Sequence, residues 1–134
     1  MAEQQNVQQA QAAYAAFGRG DIAAVLQNVA DEVEWILPGP AEVPTAGTYR
    51  GKAAVQTWFG TVAQTVAFER FEPYEFIAQA DQVVVLVHVV GRVRQTNRTF
   101  TSEDAHLSTY RDGKLIRFQV YTDTAATAAA YQTP

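Results

Sequence analysis

Apolar positions in the first half of the chain recur at the spacing of a helix face, and in the second half they run in β-branched stretches. Val7, Ala10, Tyr14 and Phe17 follow one another at intervals of three and four, which places them on one helical face. Gly18-Arg19-Gly20 ends that helix, and Asp21 is positioned to cap a second one carrying Ile22, Val25, Leu26 and Val29. Val33, Trp35 and Leu37 alternate with Glu34 and Ile36 in a short strand stopped by Pro38-Gly39-Pro40. After a loop with Pro44, Gly47 and Gly51, the positions Val55, Trp58, Phe59 and Val62 give a third helical stripe.

From about Phe68 the pattern changes to strands: Tyr74–Ala78 entered through Pro73, then Val83–Arg94, Thr99–Tyr110 and Leu115–Asp123. Asp112-Gly113 is the strongest hairpin signal, because both residues tolerate positive φ. Helices first and an antiparallel meander second predict an α+β fold, with about three N-terminal helices packed on one face of a curved sheet. Ala125–Ala130 reads as a frayed tail or a short helix.

The turns also predict which side chains share a sheet face. A loop centred between Thr96 and Asn97 sets His88 opposite Ala105, and a turn on Asp112-Gly113 sets Ala105 opposite Val120 and Leu107 opposite Phe118. His88, Ala105, Leu107, Phe118 and Val120 then form the apolar face under the helices. His106, Gln119, Tyr121 and Asp123 face the other way. A single β-bulge would invert part of this assignment.

Composition narrows the classes further. A chain of 134 residues fits one domain, 1–134, with a core from about 7 to 124 and an Ala-rich tail from 125 to 134. At 48% hydrophobic and 18% charged residues it supports a core, and the absence of cysteine removes disulfides, thiolate nucleophiles and Cys-type zinc sites. Ten Lys and Arg against fourteen Asp and Glu leave a net charge of −4, so neither nucleic acid nor an anionic membrane is an expected partner. The longest apolar run, Val83–Val90, is interrupted by His88 and is too short to span a bilayer. Met1-Ala2-Glu3-Gln4-Gln5 lacks the basic and apolar regions of a signal peptide, and a cytoplasmic location is expected.

Several residues carry chemistry. His88, set in an apolar face, reads either as an acid–base group with an ordinary pKa near 6.5 or as a hydrogen-bonded core histidine. His106, on the other face, reads as a surface or dimer-contact residue. Two histidines on opposite faces make no metal site, and none is expected. Trp35, Trp58, Leu107, Phe118 and Val120 are the candidate lining of a pocket for a flat hydrophobic ligand, against the alternative of plain core packing. Gly47–Gly51 reads as a turn over the pocket mouth, and Arg92, Arg94 and Arg98 as a solvated, edge-protecting cluster at a hairpin tip.

The order of elements, with Gly18-Arg19-Gly20-Asp21, Pro38-Gly39-Pro40, Gly47-Thr48-Tyr49-Arg50-Gly51, and Asp112-Gly113-Lys114 followed by Tyr121-Thr122-Asp123, resembles the SnoaL-like polyketide cyclases. That family lies within the superfamily of nuclear transport factor 2 and the ketosteroid isomerases. The resemblance runs from about Val7 to Thr124 and implies a cone-shaped α+β barrel with a central cavity, in a homodimer. The superfamily holds isomerases, cyclases, epoxide hydrolases, dehydratases and proteins without chemistry, so the fold does not choose among them. By this resemblance the two carboxylates of a ketosteroid isomerase would fall at Leu37 and Ala105, and its tyrosine near Ala13, beside Tyr14. Steroid isomerisation is therefore disfavoured. The Arg and Asp pair of limonene epoxide hydrolases is missing from Val85–Val90. The late Asp that SnoaL-type cyclases use as general acid–base matches Asp123.

Two functional readings follow. In one, a cofactor-independent isomerase, cyclase or lyase moves protons on a small hydrophobic organic molecule. Asp123 would be turned inward at a bulge near Val120–Thr122, His88 would be its partner, and Tyr14 would donate to an oxyanion. In the other, the chain is a non-catalytic ligand-binding or dimerisation module, or an epoxide-hydrolase-like enzyme with a changed site. The outer face with His106, Gln119 and Tyr121 is the expected homodimer contact.

Overall fold

The computed structural model describes residues 2–133. Its elements run α1 (Ala2–Gly18), α2 (Ile22–Leu26), β1 (Val29–Leu37), β2 (Gly47–Arg50), α3 (Lys52–Thr65), β3 (Val66–Gln79), β4 (Gln82–Val93), β5 (Thr99–Arg111), β6 (Lys114–Tyr121) and α4 (Thr124–Tyr131). The strands form one six-stranded sheet in the order β2-β1-β6-β5-β4-β3. Only β1 and β6 pair in parallel. The fold is α+β, as the order of periodicities predicts. The sheet curves around the helices like an open cone, with edges at β2 and β3, and does not close into a barrel.

The helical stripes and the Asp112-Gly113 turn lie where the pattern places them, the turn with φ of 51° and 77°. Three boundaries differ. Val29 begins β1 and does not extend α2, which ends at Leu26. The Gly47–Arg50 segment is an edge strand on β1, too short and exposed to carry an apolar alternation. β3 starts at Val66, whose extended backbone caps α3, so helix and strand join without a loop. The Ala-rich end is a helix, capped by Asp123 and clamped by the β4–β5 hairpin tip. There Thr96 Oγ1 donates to Ala130 O at 2.5 Å, and Arg98 Nη1 donates to Gln132 O at 3.1 Å. Arg98 thus serves as a latch and protects no edge, because β4 and β5 are interior strands and the sheet edges are β2 and β3.

The inner sheet face is built on Val83, Val85 and Val87 of β4, all fully buried. Burying such side chains contributes about 1.5–3 kcal/mol each. Gly91 pairs with Phe100, and the Phe100 ring occupies the space a Cβ at position 91 would need.

Register decides the rest. The β4–β5 loop centres one residue earlier than the sequence suggests, so His88 pairs with Glu103 and not Ala105. That two-residue slip is a full strand period and leaves faces unchanged. Between β5 and β6 a bulge at Thr109/Tyr110 shifts pairing by one, setting His106 opposite Val120, Ser108 opposite Phe118 and Ala105 opposite Tyr121. One residue inverts a face. Phe118 and Val120 therefore lie inside with His106, while His88, Ala105 and Leu107 lie outside.

Candidate functional site

Between the helices and the inner sheet face lies a pocket of about 170 Å³. Tyr14 and Phe17 project into it from α1, Trp35 from β1, Trp58 from α3, and Phe118 and Val120 from β6. The rings pack closely: Trp35 stands 4.1 Å from Phe118 and 5.4 Å from Trp58, centroid to centroid. The site is mostly apolar because successive inward positions of β1, α3 and β6 are aromatic or β-branched.

One wall is different. Strand β5 turns every second side chain inward, and between Phe100 and Tyr110 those residues are Ser102, Asp104, His106 and Ser108, all buried. Tyr14 Oη stands 2.6 Å from His106 Nδ1, and His106 Nε2 stands 3.1 Å from Asp104 Oδ2. Ser102 Oγ donates to Asp104 Oδ1 at 2.6 Å and accepts the Asp123 backbone N–H at 2.9 Å, with Thr122 Oγ1 3.0 Å away. The result is a continuous polar line across an apolar wall, from α1 to the start of α4.

The charge states follow from these surroundings. Burial pushes the Tyr14 phenol well above its ordinary value of 10.0, and the negative charge that Tyr110 and Asp104 can carry adds to the shift. Burial also works to raise Asp104, but hydrogen bonds from His106, Ser102 and Thr122 outweigh it and hold the carboxyl below 3.8. Tyr14 therefore keeps its proton and donates to Nδ1, while Nε2–H donates to an ionised Asp104. This assigns one histidine tautomer from its two neighbours. A histidine held in this way can take a proton at Nδ1, because the carboxylate behind it stabilises the resulting cation.

Of the predicted site residues, Tyr14, Trp35, Trp58, Phe118 and Val120 line the pocket. Three do not. His88 lies on the outer face, stacked on Tyr74 at 4.0 Å, with Nδ1 2.5 Å from Glu103 Oε2 but not aligned for a hydrogen bond. Leu107 is half-buried on that same outer face, because even and odd positions of β5 point oppositely. Asp123 is exposed, and its carboxylate accepts the Ala126 N–H at 2.9 Å as the cap of α4. No bulge turns it inward. Sequence reasoning set His106 on the outer surface and passed over Asp104 and Ser102. Their alternation with Glu103 and Ala105 looks like a solvent face, and only the inward turn of β5 makes it a pocket wall. Among the described residues no group of three or more His, Asp or Glu could hold a metal ion, and no helix is long and apolar enough to cross a membrane.

Comparison with known proteins matches residues 10–118 to the model of the SnoaL-like domain. The chain belongs to the SnoaL-like family. This SnoaL-like protein is 31% identical over 121 residues to "Uncharacterized protein Rv0034" of Mycobacterium tuberculosis (strain ATCC 25618 / H37Rv), covering 85% of this chain and 86% of that one. An NTF2-like protein from Burkholderia xenovorans LB400 has a similar structure, with a TM-score of 0.88 and 39% identity over 97% of this chain and 98% of the other. TerC, co-crystallised with polyporic acid, superposes with a TM-score of 0.84 and 30% identity over 95% and 98%.

Proposed function

We propose that this SnoaL-like protein binds a small hydrophobic organic molecule in the pocket and moves protons on it without a cofactor, as an isomerase, cyclase or lyase does. The observation that carries the reading is the line Tyr14–His106–Asp104 set into an otherwise apolar wall. A buried charge with a histidine and a phenol in series is a costly arrangement for mere packing, since an apolar trio of similar volume would satisfy the core as well. The co-crystallisation of the relative TerC with polyporic acid supports a small organic molecule as the ligand class.

Chemically, the line works as one acid–base unit. The Tyr14 oxygen takes the substrate proton as its own phenol proton moves to His106 Nδ1, and Nε2–H stays on Asp104, whose charge stabilises the imidazolium. Tyr14, its phenol held protonated by burial, returns a proton to a developing anion. A positioned acid–base group of this kind contributes about 10²–10⁴-fold in rate. Asp123 and His88 take no part.

The test is deuterium exchange into enolisable aromatic ketones, 1-tetralone first, followed by proton NMR at the carbon beside the carbonyl. The wild type accelerates exchange over buffer, His106→Gln loses the acceleration, and His88→Gln and Asp123→Asn retain it. A ketone that binds in the pocket without faster exchange makes this a binding module.

The outer sheet face supports a homodimer. Ile77 and Tyr121 are each 49% exposed there, and Tyr74, stacked on His88, is exposed on the same face. A second copy covering this face would bury them.

A further inference from the structure

The two tryptophans of the pocket stand side by side and differ in one respect. Trp58 Nε1 donates to the Thr45 carbonyl at 3.0 Å. Trp35 is only 4% exposed, and its Nε1 is enclosed with no acceptor among the described residues. Buried indole N–H groups normally find a partner, because an unpaired donor forfeits its hydrogen bond to water and gains nothing in return. A phenylalanine at position 35 would fill much of the same space without that cost. The Phe59 ring stands edge-on to Trp35 at 5.6 Å, and an N–H···π contact with a neighbouring ring is much weaker than a hydrogen bond to oxygen.

We infer that Trp35 is the specificity-determining donor of the pocket, its indole N–H taking an acceptor oxygen, of ketone or quinone type, on the flat molecule held there. The inference rests on the proton-transfer reading above and adds the ligand's other functional group. Its geometry comes from Phe118, whose ring centroid lies 4.1 Å from that of Trp35 and 5.4 Å from that of His106. The ring that carries the orphan donor and the ring at the centre of the acid–base line therefore share one aromatic neighbour in the pocket wall. The carbonyl oxygen of the bound ketone is assigned to Trp35 N–H, and its acidic carbon, one bond from the carbonyl carbon, to the side of the acid–base line.

The chemistry is consistent with a single step. The base takes a proton from the carbon beside the carbonyl, and the C–H electron pair moves into the new C=C bond. The carbonyl π pair moves onto oxygen, which becomes an enolate facing Trp35 N–H. Return of the proton to either end of the enolate completes exchange or isomerisation, with no oxidant or reductant required. A donor in this water-poor setting binds the enolate oxygen more strongly than the neutral carbonyl. Trp35 thus selects for oxygen-bearing ligands and favours the charged intermediate.

The experiment uses the ¹⁵N-labelled full chain, whose two indole cross-peaks are assigned with Trp58→Phe. Titration with 1-tetralone is compared with tetralin, which has the same bicyclic skeleton but no oxygen. The Trp35 peak is expected to move downfield with tetralone and to stay near its free position with tetralin. Trp35→Phe is expected to weaken tetralone binding by up to about tenfold more than it weakens tetralin binding, which loses only lining surface. The inference is overturned if both compounds move the peak alike, if bound tetralone leaves it in place, or if neither binds. Because the wild-type titration reads the N–H directly, the result stands even if Trp35→Phe does not fold. Deuterium exchange separates the two readings: exchange without a Trp35 shift sinks only this inference, and a shift without exchange sinks only the proton-transfer reading.

Discussion

Tyr14 of α1 and His106 of β5, 92 positions apart in sequence, are joined by a 2.6 Å hydrogen bond in the pocket wall. The bond fastens the first helix to the sheet at the point where the polar line begins. Tyr14→Phe keeps the ring, which stacks on Phe71 and His106, and removes only the donor. His106 Nδ1 is then buried without a partner, at a cost of about 1–3 kcal/mol. Urea denaturation should show a lower midpoint with an unchanged slope, and ketone exchange should slow by about tenfold or more. An unchanged midpoint would mean that the phenol contributes no net hydrogen bond.

Asp104 gives a pH dependence with a definite sign. Its carboxyl titrates below 3.8 in the folded chain, so the ionised form favours folding. That contribution is complete above the unfolded value and disappears as pH falls through the lower, folded one. Asp104→Asn should therefore be less stable than the wild type at pH 7, by roughly 1.5–3 kcal/mol for a lost hydrogen bond to a charged group. The gap should close in acid, below pH 3.8. Paired denaturation curves from pH 7 down to pH 2 check this; a gap that persists in acid would assign it to packing alone.

For Asp123, two substitutions separate capping from catalysis. Asparagine caps as well as aspartate, so Asp123→Asn should change stability by no more than a few tenths of a kcal/mol, whereas Asp123→Ala loses about 1 kcal/mol. Neither should alter ligand binding or exchange, because the carboxylate is engaged with the Ala126 N–H on the surface. Loss of exchange in Asp123→Asn with the fold intact would restore the carboxylate as the acid–base group.

At Gly91 the constraint is steric. A Cβ there would lie 2.4 Å from Phe100 Cζ, and that ring is buried against β4. Gly91→Ala should cost about 1–3 kcal/mol through overpacking, and pairing it with Phe100→Leu should recover part of the loss. Additive effects in the double-mutant cycle would show that the ring escapes elsewhere.

The outer face makes its own prediction. Sedimentation equilibrium at roughly tens of micromolar should report a dimer, the range in which a weak interface is populated. Ile77→Glu should shift it to monomer, since a charge directly in the contact loses its hydration on association. A monomeric wild type at that concentration would remove the dimer from the account.

Much of the fold was legible because the relevant physics acts over a few residues. The spacing of Val7, Ala10, Tyr14 and Phe17 is enough to orient α1, and Asp112-Gly113 closes the last hairpin because its backbone accepts positive φ. The aromatic lining was legible for the same reason: Trp35, Trp58 and Phe118 each sit on the apolar side of their own element. What escaped was β2, whose four residues carry no alternation, and two of the acid–base groups, His106 and Asp104.

Asp104 and His106 share a face by their spacing alone, but no local pattern says which side of the sheet that face meets. Apart from His88, strand β4 is apolar on both faces from Val83 to Val90, so it gives its neighbour little preference. The bulge at Thr109/Tyr110 then turns Phe118 and Val120 to the side of His106, and α1 brings Tyr14 over it. A strand's side-chain period is two, so a single inserted residue exchanges interior for exterior. The sequence by itself therefore determined the elements, their order and the apolar stripes. The tertiary register alone decided that His106 and Asp104 belong to the pocket and that His88, Leu107 and Asp123 do not.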